Sequence, residues 1–170
     1  DVGRGSELIR ALTQAGYSDF AVYSGEDITG LALMLMGAHG VISVTANVAP
    51  KLMAQMSAAA LAGDVRTARE CNDRLLALHR RLFVEANPTP TKWALAEMGL
   101  IHNEVRLPLV KLSPQFHETV RAALREEAVD PAAEPAGRAE VGRQVQHPAA
   151  LLEAIPDGAV GLDVGAPEAV

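Results

Sequence analysis

Cysteine is almost missing from this chain: Cys71 stands alone among 170 residues. No disulfide can form within it, so stability has to come from packing, and a reducing, cytoplasmic setting is the expectation. Aromatic residues are nearly as scarce, with one Trp, two Tyr and three Phe, which leaves Leu, Val, Met and Ala to build the core. No apolar run approaches the ~20 residues a membrane-spanning helix needs, and no signal-peptide layout opens the chain. An excess of positive charge is lacking too: the net charge is −6, which argues against a nucleic-acid footprint. His39, His79, His102, His117 and His147 show no metal-ligand spacing, and no metal or cofactor is expected. Lysine is reduced to Lys51, Lys92 and Lys111.

What is present is a run of β-branched residues around which the rest is arranged. In His39–Asn47 the apolar Val41, Ile42 and Val44 crowd together, the pattern of a strand buried on both faces in a helix-covered parallel sheet. Before it, Ser6–Ala15 reads as an amphipathic helix with Ser6 as N-cap and Gly16 as its stop. Asp19–Tyr23 reads as a short buried strand. Ile28–Met36 reads as a second helix, apolar nearly all round and so seldom left exposed. Glu26 and Asp27 at its start complement the helix dipole. The order helix, strand, helix, strand predicts a βαβ unit with parallel strands, and ligands of such folds gather at the carboxyl ends of the strands.

After Asn47 the pattern is helical. A helix over Lys51–Ala62 carries a Met53, Met56, Ala60 stripe. Asp64 caps a longer helix reaching about Glu85, whose buried face reads Cys71, Leu75, Leu78 and Leu82. Asn87-Pro88-Thr89-Pro90 breaks the chain. A short helix with Trp93 follows, ended by Gly99, then an irregular crossing over residues 100–112 and a last helix capped by Ser113. Trp93 and Phe83 are expected in the core of this helical part. From Asp130 onward five of the ten prolines occur, with seven acidic residues against two arginines, and disorder is the default expectation. Two strands make neither a barrel nor a stable open sheet. The missing strands are therefore expected upstream of Asp1 or in another chain, and the chain reads as a fragment or a processed piece.

Three motifs now align with a known family. The stretches Phe20–Asp27, Gly37–Asn47 and Leu82–Ala94, continued by Arg106–Leu109 and Thr119–Leu124, closely resemble the carboxyl-terminal part of the dihydrodipicolinate synthase family. The resemblance covers about Asp1 to Val129 and implies an α/β fold, the TIM (β/α)8 barrel. Only its last two βα units would lie here, in residues 1–62, with a carboxyl-terminal helical extension in 63–129 and an acidic tail in 130–170. The implied reaction condenses pyruvate with aspartate semialdehyde to 4-hydroxy-tetrahydrodipicolinate through a Schiff base on lysine, in lysine and diaminopimelate biosynthesis. The family assembles as a homo-oligomer, a tetramer.

The family's lysine motif is followed by an Asp/Asn-x-x-Arg turn, which Asp1-Val2-Gly3-Arg4 resembles, so the nucleophile is expected just upstream of Asp1. The family's proton-relaying tyrosines and threonine, its mouth arginine and its lysine-feedback site are also missing. No catalytic residue is assigned in this chain, and Lys51, Lys92 and Lys111 are expected in surface or capping roles. By the resemblance, Ile42 presents its backbone to pyruvate, and Gly25, Glu26 and Asp27 stand at the pocket mouth, where capping of the second helix is the competing role for the two carboxylates. His39 is expected to be structural. The chain by itself is expected to be inactive. The alternatives are another pyruvate-dependent aldolase of the same superfamily, or a truncated non-catalytic subunit that works only by assembling with partners.

Overall fold

A computed structural model of the protein describes residues 1–126 apart from Ser18. The tail over 130–170, for which disorder is expected, lies outside the described residues. The elements run α1 (Val2–Gln14), β1 (Tyr23–Ser24), α2 (Asp27–Leu35), β2 (Gly40–Val41), α3 (Pro50–Leu61), α4 (Val65–Arg81), α5 (Thr89–Glu97) and α6 (His117–Glu126). Short 3-10 turns cover Thr45–Asn47 and Pro114–Phe116. None of the described helices is long and apolar enough to cross a membrane.

The expected strand–helix–strand unit is present. β1 and β2 pair in parallel, Tyr23 opposite Gly40 and Ser24 opposite Val41, and α2 bridges them and lies against both. Gly30 makes that approach possible, because a Cβ there would come within 2.6 Å of Val41 Cγ1. Gly5 does the same for α1 on α2, where a Cβ would come within 2.5 Å of Leu33 Cδ1. α1 starts four residues earlier than the helical pattern suggests. The Asp1 carboxylate accepts from the Arg4 backbone N–H and so supplies the cap, while Ser6, expected as the cap, turns its hydroxyl to Met36 Sδ.

The strands differ most from expectation. Paired backbone is confined to two residues in each, and neither the stretch read as buried on both faces nor the one read as a short buried strand is buried throughout. Phe20 and Tyr23 are exposed, and Ile42 is 73% exposed. Helices cover one side of the pair, and no described residue covers the other. β-branched content reports the burial a stretch is suited to, whereas the burial it attains depends on neighbours far away in sequence or in another chain.

The helical part packs both on itself and on α2. Asp64 caps α4 by accepting from the Thr67 N–H, and His79, Arg80 and Arg81 in its last turn suit the negative end of the helix dipole. Met53, Met56 and Ala60 of α3 and Cys71, Leu75 and Leu78 of α4 are buried as their stripes predict, with Leu82 just beyond. Trp93 is 3% exposed, its ring stacked on His117 at 4.7 Å with the Arg121 guanidinium 5.4 Å above it. Phe83, expected beside it in the core, is instead 47% exposed, because α4 stops at Arg81 and the turn after it carries Phe83 off the buried stripe. Ser113 precedes the last helical stretch as expected but makes no side-chain cap. Its hydroxyl donates to Glu85, which also accepts from the Ser113 N–H. That carboxylate fastens the end of the crossing segment to the turn after α4.

Candidate functional site at the carboxyl ends of the strands

Because β1 and β2 are parallel, the segments leaving them, residues 25–27 and 42–47, emerge at the same end. They are tied together there. The Ile42 N–H donates to the Ser24 carbonyl at 2.8 Å, one step beyond the ladder. The Ser24 hydroxyl donates to the Glu26 carbonyl and accepts from the Glu26 N–H, folding residues 24–26 into a tight turn. At the opposite end of β2, the His39 N–H donates to the Val22 carbonyl and His39 Nδ1 accepts from the Val22 N–H. His39 is thus a strand clamp, the structural role expected of it.

Below this rim lies a buried polar cluster. Asp27 in the first turn of α2 is 2% exposed, and three donors converge on its Oδ2: the Val44 N–H at 3.0 Å, the Thr45 N–H at 2.9 Å and the Thr45 hydroxyl at 3.0 Å. The carboxylate therefore closes the 3-10 turn that follows β2, whose backbone donors lack ladder partners. Thr45, fully buried, stands 2.9 Å from Nδ1 of His79. A hydroxyl has one hydrogen, and this one is given to Asp27. Thr45 can then only accept from His79, which fixes the imidazole as the tautomer with its proton on Nδ1. Burial holds the His79 pKa below its ordinary value, and the Asp27 and Glu26 charges oppose this more weakly. Asp27 Oδ1 and His79 Nε2 are buried without a protein partner among the described residues.

The residues expected at the site sit as follows. Gly25 and Glu26 are exposed at the rim; open space surrounds the Gly25 Cα where a side chain would stand. Glu26 occupies the N-cap position of α2 without a capping hydrogen bond. Asp27 is drawn inward to the turn after β2. Ile42 presents its side chain to solvent and its N–H to β1. Thr45 and His79 were not singled out from sequence. His79 lies one helical turn beyond Leu75 on the buried stripe of α4 (a histidine among core leucines), and that is the signal that could have found it.

All three lysines are away from the strand ends. Lys51 and Lys111 are exposed, and half-buried Lys92 lies in α5. Among the described residues, no group of three His, Cys, Asp or Glu side chains could hold a metal ion. The exposed ends of β1 and β2 can line a small polar ligand but offer it no lysine amine.

A parallel strand–helix–strand unit with its polar turns at the carboxyl ends, followed by packed helices, is a piece of an α/β protein, and the matches that follow make its fold the (β/α)8 barrel. The particular family follows from comparison: the chain belongs to the dihydrodipicolinate synthetase family, whose model matches residues 2–127. It is 55% identical over 130 residues to the 4-hydroxy-tetrahydrodipicolinate synthase of Nitrosospira multiformis, covering 76% of this chain and 42% of that protein. To the synthase of the same name from Pseudomonas aeruginosa it is 53% identical over 129 residues, covering 76% and 43%. Among solved structures it is similar to the chloride-inhibited dihydrodipicolinate synthase of Acinetobacter baumannii in complex with pyruvate. That match has a TM-score of 0.72 and 50% identity and covers 76% of this chain and 43% of the other. The Thermotoga maritima enzyme gives 0.71 at 42% identity, with the same two coverages. The chain thus spans about two fifths of the length of the relatives it matches.

Proposed function

We propose that this chain is the carboxyl-terminal part of a 4-hydroxy-tetrahydrodipicolinate synthase. The parent enzyme would condense pyruvate with aspartate semialdehyde through a Schiff base, in the cytoplasm and as a homo-oligomer, a tetramer by the resemblance. In this reading residues 1–62 supply the last two βα units, 63–129 the helical extension and 130–170 a tail outside the catalytic body. The Ile42 backbone borders pyruvate, and Gly25, Glu26 and Asp27 stand at the mouth, with Asp27 acting through the turn it holds. The relatives' shared name favours this reaction over the other pyruvate-dependent aldolases.

The observation that carries the reading is the convergence of the 25–27 and 42–47 segments at one end of a parallel pair, with no lysine there. A Schiff-base lysine must present a neutral amine, and a solvated one with a pKa near 10.4 is unprotonated to only about 0.04% at pH 7. Desolvation in a pocket corrects this, and exposed Lys51 and Lys111 lack such a pocket. The nucleophile belongs to the part of the relatives' length that this chain does not span. Incubation with pyruvate and borohydride, followed by intact-mass measurement, is expected to trap no adduct. An adduct on Lys51, Lys92 or Lys111 overturns the reading.

The uncovered side of the strand pair supports a second reading. Phe20, Tyr23 and Ile42 are apolar and exposed, suited to burial against further strands, so the chain could serve as a non-catalytic subunit. Mixing with a full-length homologue and sizing the product tests this; two species that remain separate sink it.

A further inference from the structure

We infer that Thr45, gripped between Asp27 and His79, is a positioning residue through which helix α4 sets the backbone of the turn after β2. Three elements meet at one buried hydroxyl. Asp27 comes from the start of α2, Thr45 follows β2, and His79 comes from the last turn of α4. The hydroxyl is the only bridge among these contacts between the Asp27 carboxylate and α4, since Asp27 itself takes only donors from residues 44 and 45. Its direction is dictated: Nδ1–H of His79 donates to Thr45, and Thr45 donates to Asp27. Each bond in such a chain polarises the next, and all three side chains are nearly or fully buried, so water cannot readily replace a missing member.

The consequence reaches the rim. Oδ2 holds the amides of Val44 and Thr45, two and three residues beyond Ile42, whose own N–H is tied to Ser24. A shift of α4 is passed through His79 and Thr45 to the segment that, on the proposed function, lines pyruvate. The inference rests on that reading only for the word pyruvate; the mechanical link is a property of these contacts.

The test uses the whole 170-residue chain labelled with nitrogen-15. In the wild type, the His79 ring is expected to show protonated Nδ1 and bare Nε2, with slow hydrogen exchange at the Val44 and Thr45 amides. Thr45→Val removes the hydroxyl at constant shape. It should abolish the tautomer preference and speed exchange at Val44 by roughly tenfold or more, as expected for loss of a buried hydrogen bond, while Thr45→Ser restores both. His79→Leu should speed the same amides from across the fold, and His79→Asn, whose amide nitrogen falls near the place of Nδ1, should return them towards wild type. If Thr45→Val leaves the tautomer in place, or His79→Leu leaves the amides of 44 and 45 unchanged, the link is refuted. Should Thr45→Val fail to fold, the His79 pair decides alone. Borohydride trapping reads only the lysines, so failure of the proposed function and failure of this link are told apart.

Discussion

The two halves of the described chain use the same kinds of residue to opposite effect. In α3–α6, Met56, Leu75, Leu78, Leu82 and Val120 are wholly buried, and polar pins such as Glu85 to Ser113 and Arg121 to Glu97 join segments that are distant in sequence. In the strand pair, Phe20, Tyr23 and Ile42 are as apolar and yet lie open. One buried core runs through both: the helical half is enclosed in it, whereas the strand half meets it on one side only. An element's apolar content therefore measures what it can bury, and only the presence of a partner layer decides whether it does.

That contrast is broken most forcefully at Trp93. If the helical half is where the core is enclosed, Trp93→Ala should cost about 3–5 kcal/mol, the range for emptying a large aromatic site, and should remove the stacking on His117 and the Arg121 contact with it. Urea unfolding followed by circular dichroism gives the number. A loss below about 1 kcal/mol, the ordinary size of an uncritical substitution, would mean the helices do not rest on this core.

A second effect is pH-dependent and belongs to the seam between the halves. His79 has a folded-state pKa below its ordinary 6.5, so the unfolded chain takes up a proton there before the folded chain does. Stability should therefore fall as pH drops below about 6.5 and level off below the folded pKa. The slope from this one group is at most about 1.4 kcal/mol per pH unit. From about a unit above 6.5 the group is neutral in both states and contributes no slope. His79→Leu should flatten that part of the profile even though it weakens the fold; an unchanged slope in the variant would assign the dependence elsewhere.

At the start of α4, Asp64→Ala should lower the melting temperature by a few degrees through loss of the cap to Thr67, with Asp64→Asn close to wild type. Signals of this local kind were legible in the sequence. The Asp64 cap, the 71/75/78/82 stripe, the stops at Gly16 and Gly99 and the Asn-Pro-Thr-Pro break each act within a few helical turns. The βαβ order was legible for the same reason. What escaped was non-local. Asp27 meets Thr45 across 18 residues and Thr45 meets His79 across 34, a spacing no periodicity encodes. Glu85 similarly draws the Ser113 hydroxyl away from capping. Ile42 escaped in the other direction: its local wording is that of a buried strand, and its exposure is decided by the absence of a second layer among the described residues.

The smallest expected effect is therefore the most discriminating. Ile42→Ala in this chain alone should change stability by no more than about 0.5 kcal/mol, as for exposed positions generally, although the same substitution at a buried isoleucine costs about 2–5 kcal/mol. The pair of measurements separates composition from context at one residue. A loss of core magnitude in the isolated chain would mean that the open side of β1 and β2 is covered in solution, most simply by a second copy. Stability would then rise with protein concentration, and the distinction between a half enclosed in the core and a half that meets it on one side would have to be redrawn at the level of the assembly.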